Sequence, residues 1–175
     1  FESSVNQAMT LSGSTVRLRD NVTHSGDSGI YIDGGTFTID WNGHILSGSP
    51  NNNLMVITGS ANVTLKDGSG TNTGGARQTG LGGAVRIAVE SEGSVNIQGG
   101  TYFPNVTRAE RCYGSVQISG GVFENSKGYG QTFALYDATG SSLSGMLAPD
   151  TAFAYEADGS DLLNAYIVNM SESYR

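Results

Sequence analysis

The sequence has little cysteine and proline, few charged residues and no long apolar run. It has one cysteine and three prolines among 175 residues, and only 14% of its residues are charged. Because Cys112 is alone, neither an intrachain disulfide nor a CxxC zinc site can form, and we expect this small side chain to fill core space. No apolar run approaches the roughly 20 residues of a membrane-spanning helix, so we expect no membrane insertion.

Basic residues are also scarce. The chain has 9 Lys and Arg against 16 Asp and Glu, which gives a formal net charge of −7. Nucleic acids are bound by neutralising phosphates with Lys and Arg, so a nucleic-acid partner is disfavoured. The Gly-rich runs lack the Lys-Ser/Thr of a phosphate-binding loop, and no calcium nonapeptide occurs. We therefore predict no cofactor and no metal site.

Glycine and alternating apolar residues are what the chain has instead. It contains 26 Gly, and hydrophobic residues make up 37%. Residues 94–103 read Ser-Val-Asn-Ile-Gln-Gly-Gly-Thr-Tyr-Phe, and residues 115–123 read Ser-Val-Gln-Ile-Ser-Gly-Gly-Val-Phe, with Val95 and Val116 21 residues apart. A repeat of this length with strand alternation and Gly-Gly turns is typical of stacked coils. We predict a parallel β-helix rather than a β-sandwich, which has no reason to repeat this motif.

The same alternation assigns inward-facing residues along the chain. It places Ile30, Ile32, Phe37, Ile39 and Trp41 on one buried face, and likewise Met55, Ile57, Val63, Leu65, Ile87, Val89, Val95, Ile97, Val116 and Ile118. Two alignments of the coils remain open. One stacks the aromatic residues Phe37, Tyr102 and Phe123; the other stacks Phe37 with Val63, Val95 and Val116.

The segments outside the regular repeat have separate expectations. Residues 1–14 are predicted to form an N-terminal edge strand or cap, residues 15–145 the coils, and residues 146–175 a C-terminal hairpin or cap. Within the coils, residues 67–83 are polar and dense in Gly, which indicates a loop, and loops on repeat folds often carry the binding surface. Arg77 in this loop is a candidate contact residue.

Several stretches resemble a known family. Residues 37–48 (Phe-Thr-Ile-Asp-Trp-Asn-Gly-His-Ile-Leu-Ser-Gly), residues 62–70 (Asn-Val-Thr-Leu-Lys-Asp-Gly-Ser-Gly) and the paired Ser-Val-x-Ile-x-Gly-Gly segments resemble the right-handed β-helix repeats of adhesin-like, pectate-lyase-like proteins that Firmicutes display or secrete. Residues 147–159 resemble the end of such arrays. The resemblance spans about residues 15 to 160, and its turn and core positions specify a fold rather than an activity. In related sequences a core leucine typically takes the place of Trp41.

The resemblance and the repeat together give the expected fold class: all-β, a single-stranded right-handed parallel β-helix (solenoid) with a terminal capping element. The family implies a bacterial secreted or cell-surface location. Four Asn-x-Ser/Thr sequons, at Asn21, Asn62, Asn105 and Asn169, matter only in a eukaryotic secretory context.

Catalytic patterns are few. A β-helix hydrolase needs facing carboxylates, and Asp33 with Asp40 or Glu90 with Glu92 are the only pairs that suggest themselves. The polygalacturonase-like set (Asn-x-Asp, Asp-Asp, Gly-His-Gly, Arg-x-Lys) is absent, and Gly43-His44 reads as part of a turn. We predict no enzyme and no catalytic residue.

Two functional hypotheses follow. The first is a non-catalytic extracellular domain, an adhesin, stalk or structural protein, that contacts a glycan or host surface and stacks end to end into filaments; its candidate binding residues are Tyr31, Arg77, Tyr113 and Tyr129. The second is a polysaccharide lyase or glycoside hydrolase of the β-helix type, or a fragment of one.

Overall fold

The computed structural model describes residues 1–80, 82–104, 106–109, 112–124, 135–137, 146–158 and 161–169. These residues are mostly β-structure arranged in parallel sheets, as the sequence predicted. They form one helix, α1 (Glu2–Met9), and fifteen strands: β1 (Ser14–Arg17), β2 (Val22–His24), β3 (Ile30–Ile32), β4 (Thr36–Asp40), β5 (Ile45–Gly48), β6 (Met55–Gly59), β7 (Asn62–Lys66), β8 (Gly75–Gln78), β9 (Val85–Val89), β10 (Ser94–Phe103), β11 (Val106–Arg108), β12 (Ser115–Glu124), β13 (Leu135–Asp137), β14 (Thr151–Asp158) and β15 (Asp161–Asn169).

The parallel strands fall into three stacks. The first contains β1, β4, β7 and the first halves of β10 and β12. The second contains β2, β5, β8 and the second halves of β10 and β12. The third contains β3, β6, β9, β11 and β13. The chain visits the first, second and third stacks in that order before it returns to the first.

The register of the first stack decides between the two coil alignments. Phe37 faces Val63, Val63 faces Val95, and Val95 faces Val116. The alternative column of Phe37, Tyr102 and Phe123 is wrong. After Gly100, which has a left-handed φ of 101°, β10 continues in the second stack, where Tyr102 faces Ala76 on one side and Phe123 on the other.

The predicted inward faces form one hydrophobic core. Ile30, Ile32, Ile39 and Leu65 are buried, and Trp41 is fully buried at 0% exposure. Val116 is only half-buried, although its partner Val95 is buried. Aromatic rings line part of the core: Trp41 contacts Phe1 at 6.4 Å and Tyr102 at 6.3 Å between ring centroids, and Tyr102 stacks on Phe123 at 5.5 Å.

The N-terminal segment is a helix, so the edge-strand alternative for residues 1–14 is wrong. Val5 and Ala8 lie three residues apart on one face of α1 and are buried. The helix packs against β1, β3 and β4. Among the described residues, no helix is long and apolar enough to cross a membrane.

The segment 67–83 is not a loop throughout, because β8 lies within it. Gly75 has no side chain and therefore fits against the backbone of Thr101, where an added Cβ would lie 1.8 Å from the carbonyl oxygen. Ala76 is fully buried opposite Leu46 and Tyr102. Gln78 is also buried, and its Nε2 donates to the carbonyl oxygens of Pro50 and Asn52. Polar composition thus conceals a buried strand.

The C-terminal segment contains an antiparallel pair, β14 with β15, where the sequence predicted a hairpin or cap. β15 also pairs antiparallel with the end of β12, from Val122 to Glu124. Leu147 forms an isolated parallel bridge with Ile118. The chain therefore changes from parallel to antiparallel pairing at this end of the second stack.

Candidate functional site

The carboxylates that the sequence suggested as a catalytic pair lie apart. Asp33 precedes β4 and is exposed, whereas Asp40 is the last residue of β4 and is buried. Asp40 pairs with Arg17 at 2.9 Å and accepts hydrogen bonds from the backbone N–H of Asn42 and Gly68, at 3.1 and 2.7 Å. These bonds occupy Asp40 in holding the turn after β4.

Asp67 has a similar structural role. Its carboxylate accepts the backbone N–H groups of Gly43 at 2.7 Å, Ser69 at 3.1 Å and Gly74 at 2.8 Å. Partial burial alone would raise the pKa of Asp67, but the hydrogen bonds from Gly74, Ser69 and Gly43 outweigh it and lower the pKa below the usual 3.8. The ionised carboxylate therefore connects the segment between β7 and β8 to the turn between β4 and β5.

Glu90, Glu92 and the hydroxyl of Tyr102 lie in different surroundings. Glu90 and Glu92 are exposed in the turn between β9 and β10. Burial raises the pKa of Tyr102 far above its ordinary value, so its hydroxyl stays neutral. That hydroxyl accepts a hydrogen bond from Trp41 Nε1 at 3.1 Å and donates to the Gly99 carbonyl at 2.9 Å. In the described part of the chain, no three His, Cys, Asp or Glu side chains lie close enough together to hold a metal ion.

Arg77 lies on β8 in the second stack and points outward between buried Ala76 and Gln78. Its guanidinium sits 4.8 Å from the centroid of the Phe103 ring, and its Nη2 is 2.8 Å from Glu124 Oε2. The contact with Phe103 bridges adjacent strands, since Arg77 faces Phe103 in register. Arg77 thus links β8 to β10 and β12, although 41% of its side chain remains exposed.

Tyr31 lies on β3 in the third stack and is 56% exposed. In register it faces Val56, Val56 faces Arg86, and Arg86 faces Thr107. We call these four residues the tyrosine row. Val56 and Thr107 are half-buried, whereas Arg86 is exposed. The sequence did not single out Arg86. Its place between Val85 and Ile87 predicts an outward side chain, but the sequence does not predict how β9 aligns with β3.

The other two candidates do not join these residues. Tyr113 is 73% exposed and lies between β11 and β12, where its backbone N–H donates to the Val89 carbonyl at 3.2 Å. Tyr129 lies outside the described residues. The structure therefore places Tyr31, Arg77 and Tyr113 on the third stack, the second stack and a turn, respectively, and does not bring them into one site.

The first stack presents a surface that the sequence did not single out. Two of its outward rows, held in register, carry only uncharged hydroxyl or amide side chains, whereas the next row along the strands contains the charged residues Arg17, Asp40 and Lys66. We call this surface the hydroxyl–amide face: Thr15, Thr38, Thr64, Asn96 and Gln117 in one row, and Thr36, Asn62, Ser94 and Ser115 in the other. Neighbouring rungs contact each other, since Ser94 Oγ donates to Asn62 Oδ1 at 2.9 Å.

No known protein family matches the chain, and no curated protein or solved structure is significantly similar to it. The geometry of these surfaces is therefore the basis for a functional proposal.

Proposed function

We propose that the chain is a right-handed parallel β-helix domain with a non-catalytic, extracellular role on a bacterial surface, as an adhesin, stalk or structural element that contacts glycans. The fold part of the proposal is supported by the order in which the chain visits its three parallel stacks. Connections between parallel strands of one sheet are right-handed in about 98% of cases, which favours the right-handed winding.

One observation carries the binding role. Parallel strands held in register place outward side chains in straight rows, with roughly 4.8 Å between neighbouring members. The hydroxyl–amide face and the tyrosine row are two such arrays on different stacks. A regular array of this kind suits an extended ligand that repeats its own hydrogen-bonding groups, and polysaccharides have this property.

The carboxylates support the non-catalytic part. Acid–base cleavage of a glycosidic bond requires two carboxyl groups about 5–10 Å apart that are free to act on the substrate. Asp40 and Asp67 are instead hydrogen-bonded to backbone amides. The alternative, a β-helix lyase or hydrolase, would need a different set of residues.

Incubation with a panel of pectin, hyaluronan and host-type glycans tests the proposal directly. We expect retention of the protein on at least one polymer with no decrease in polymer length. Depolymerisation that is abolished by replacing a single carboxylate would establish the enzyme instead. Absence of binding to every member of the panel would remove the glycan role.

Self-association is a second form of the structural role. β14 pairs with β15, and within the described residues its other edge has no partner strand. An unpaired strand edge offers hydrogen-bonding groups to another chain. In this form of the proposal, copies of the chain contact one another end to end and form a filament.

A further inference from the structure

The tyrosine row combines two chemically different groups on one flat surface. Tyr31 and Arg86 are both exposed, and they are separated by the single half-buried residue Val56. Two steps between neighbouring strands place their Cα atoms roughly 10 Å apart. An aromatic ring and a guanidinium at this spacing can contact one ligand at the same time.

Arg86 differs from Arg17 and Arg77 because it has no carboxylate partner among the described residues. Arg17 pairs with Asp40, and Arg77 pairs with Glu124. Within the described ranges, no carboxylate lies within 4.0 Å of the Arg86 guanidinium. An exposed cation without an internal counter-ion, on a chain with a net charge of −7, is a local site for an anion.

We propose that the tyrosine row binds an acidic sugar residue of a glycan, with the sugar ring packed against Tyr31 and its carboxylate bound by Arg86. This inference rests on the proposed glycan role and adds to it the class of sugar and the surface. An aromatic ring offers an apolar face to the C–H groups of a sugar, and a guanidinium binds a carboxylate through two parallel hydrogen bonds. Val56, between Tyr31 and Arg86, and Thr107, on the other side of Arg86, are half-buried, so their side chains project little from the strand surface.

The test compares glycans that differ only in the acidic group. Hyaluronan is paired with its carboxyl-reduced form, and sialyllactose with its methyl ester, and binding is measured by calorimetry or biolayer interferometry at low salt. The variants are Tyr31→Ala, Tyr31→Phe, Arg86→Gln and Arg86→Lys. The controls are Leu11→Ala and Arg19→Gln, which alter an exposed apolar side chain and an exposed arginine away from the row.

We expect at least one acidic glycan to bind more tightly than its neutral partner. Arg86→Gln should weaken that binding roughly tenfold or more, because a charge-assisted hydrogen bond is lost. Tyr31→Ala should also weaken binding of the acidic glycan, and Tyr31→Phe should largely preserve it. Arg86→Lys should retain only part of the binding, because a lysine lacks the planar guanidinium that binds a carboxylate through two hydrogen bonds. The two control variants should bind as the parent chain does.

Each failure has a distinct meaning. If acidic and neutral partners bind equally, or if the Tyr31 and Arg86 variants bind no worse than the controls, the inference is overturned while the glycan role stands. If neither acidic nor neutral glycans bind, both the inference and the glycan role are overturned. Circular dichroism of every variant separates loss of binding from loss of fold.

Discussion

At the scale of single residues, Trp41, Tyr102, Asp40 and Asp67 each have a polar group that is held by specific partners. Trp41 Nε1 and the Tyr102 hydroxyl form a buried relay that ends on the Gly99 carbonyl. Asp40 and Asp67 gather backbone amides of the turns around them. A buried polar group that loses its partner is costly, so these positions should be intolerant of small changes.

The hydroxyl of Tyr102 provides the first prediction. Tyr102→Phe keeps the stacking ring but removes the acceptor of Trp41 Nε1 and the donor to Gly99. We expect the free energy of unfolding to fall by about 1–3 kcal/mol, measured by urea denaturation. Tyr113→Phe, at an exposed position, should change it by less than about 0.5 kcal/mol. Equal stability of the two variants would show that the buried relay contributes nothing.

Asp67 provides the second prediction. Its pKa is lowered in the folded protein, so its contribution to stability is present above about pH 4 and is lost as the pH falls through the folded pKa. Asp67→Asn should therefore be less stable than the parent chain at neutral pH, and the difference should shrink in acid. Thermal denaturation between pH 3 and 7 measures this, with Asp20→Asn at an exposed position as the control. A difference that stays constant with pH would contradict the assignment.

Alternation predicts most of the buried residues but cannot predict these partners. The inward placement of Ile39, Trp41 and Leu65 follows from period two alone. The alternation places Asp40 on the outward side of β4. Asp40 is nevertheless buried, because Arg17 and the Gly68 amide cover it. The sequence could not predict Arg86 as a site residue either, because Tyr31, in the same row, is 55 positions earlier in the chain.

At the scale of elements, glycine has two different functions. Some glycines mark turns, as the sequence indicated, but Gly75 is the first residue of β8, where it permits close approach of the backbone of β10. The polar, Gly-dense stretch 67–83 predicts a loop because residues of these types favour turns. The neighbouring strands override that preference. α1 was not predicted, because its two inward residues, Val5 and Ala8, give too weak a periodicity to indicate a helix.

Gly75 therefore provides the third prediction. Gly75→Ala should destabilise the protein by about 1–3 kcal/mol, since the added methyl group would collide with the Thr101 carbonyl. Gly34→Ala is the matched control, because its Cβ would meet nothing closer than Ser60 Oγ at 4.0 Å. Urea denaturation of both variants makes the comparison. Tolerance of Gly75→Ala would mean that β8 packs less closely against β10.

At the scale of the whole molecule, the parallel stacks end in different ways. α1 packs on β1 and β3 at the beginning, and β15 continues β12 at the other end of the second stack. The repeat of Ser-Val-x-Ile-x-Gly-Gly was sufficient to predict parallel β-structure, because its alternation fixes the strand period. Its Gly-Gly was expected in a turn but lies within β10 and β12, where each strand passes from the first stack to the second. The repeat could not predict which strands are neighbours in each stack, since the number of residues between successive copies varies along the chain.

The open edge of β14 provides the fourth prediction. We expect the protein to form larger species as its concentration rises, as measured by multi-angle light scattering. Ala154→Lys, on β14, should reduce this association because a charge disfavours pairing of strand edges. Ser69→Lys, in an exposed turn, should leave it unchanged. A parent chain that remains monomeric over a wide concentration range would rule out the filament role.

The contact between Trp41 and its aromatic neighbours also gives the protein a built-in optical reporter. The chain has a single tryptophan, and it is fully buried beside Tyr102 and Phe1. Its fluorescence emission should lie at short wavelength in the folded protein and shift to longer wavelength when water reaches the indole ring. Unfolding around β4 and β10 can therefore be followed in unlabelled protein, with excitation at a wavelength that tyrosine does not absorb.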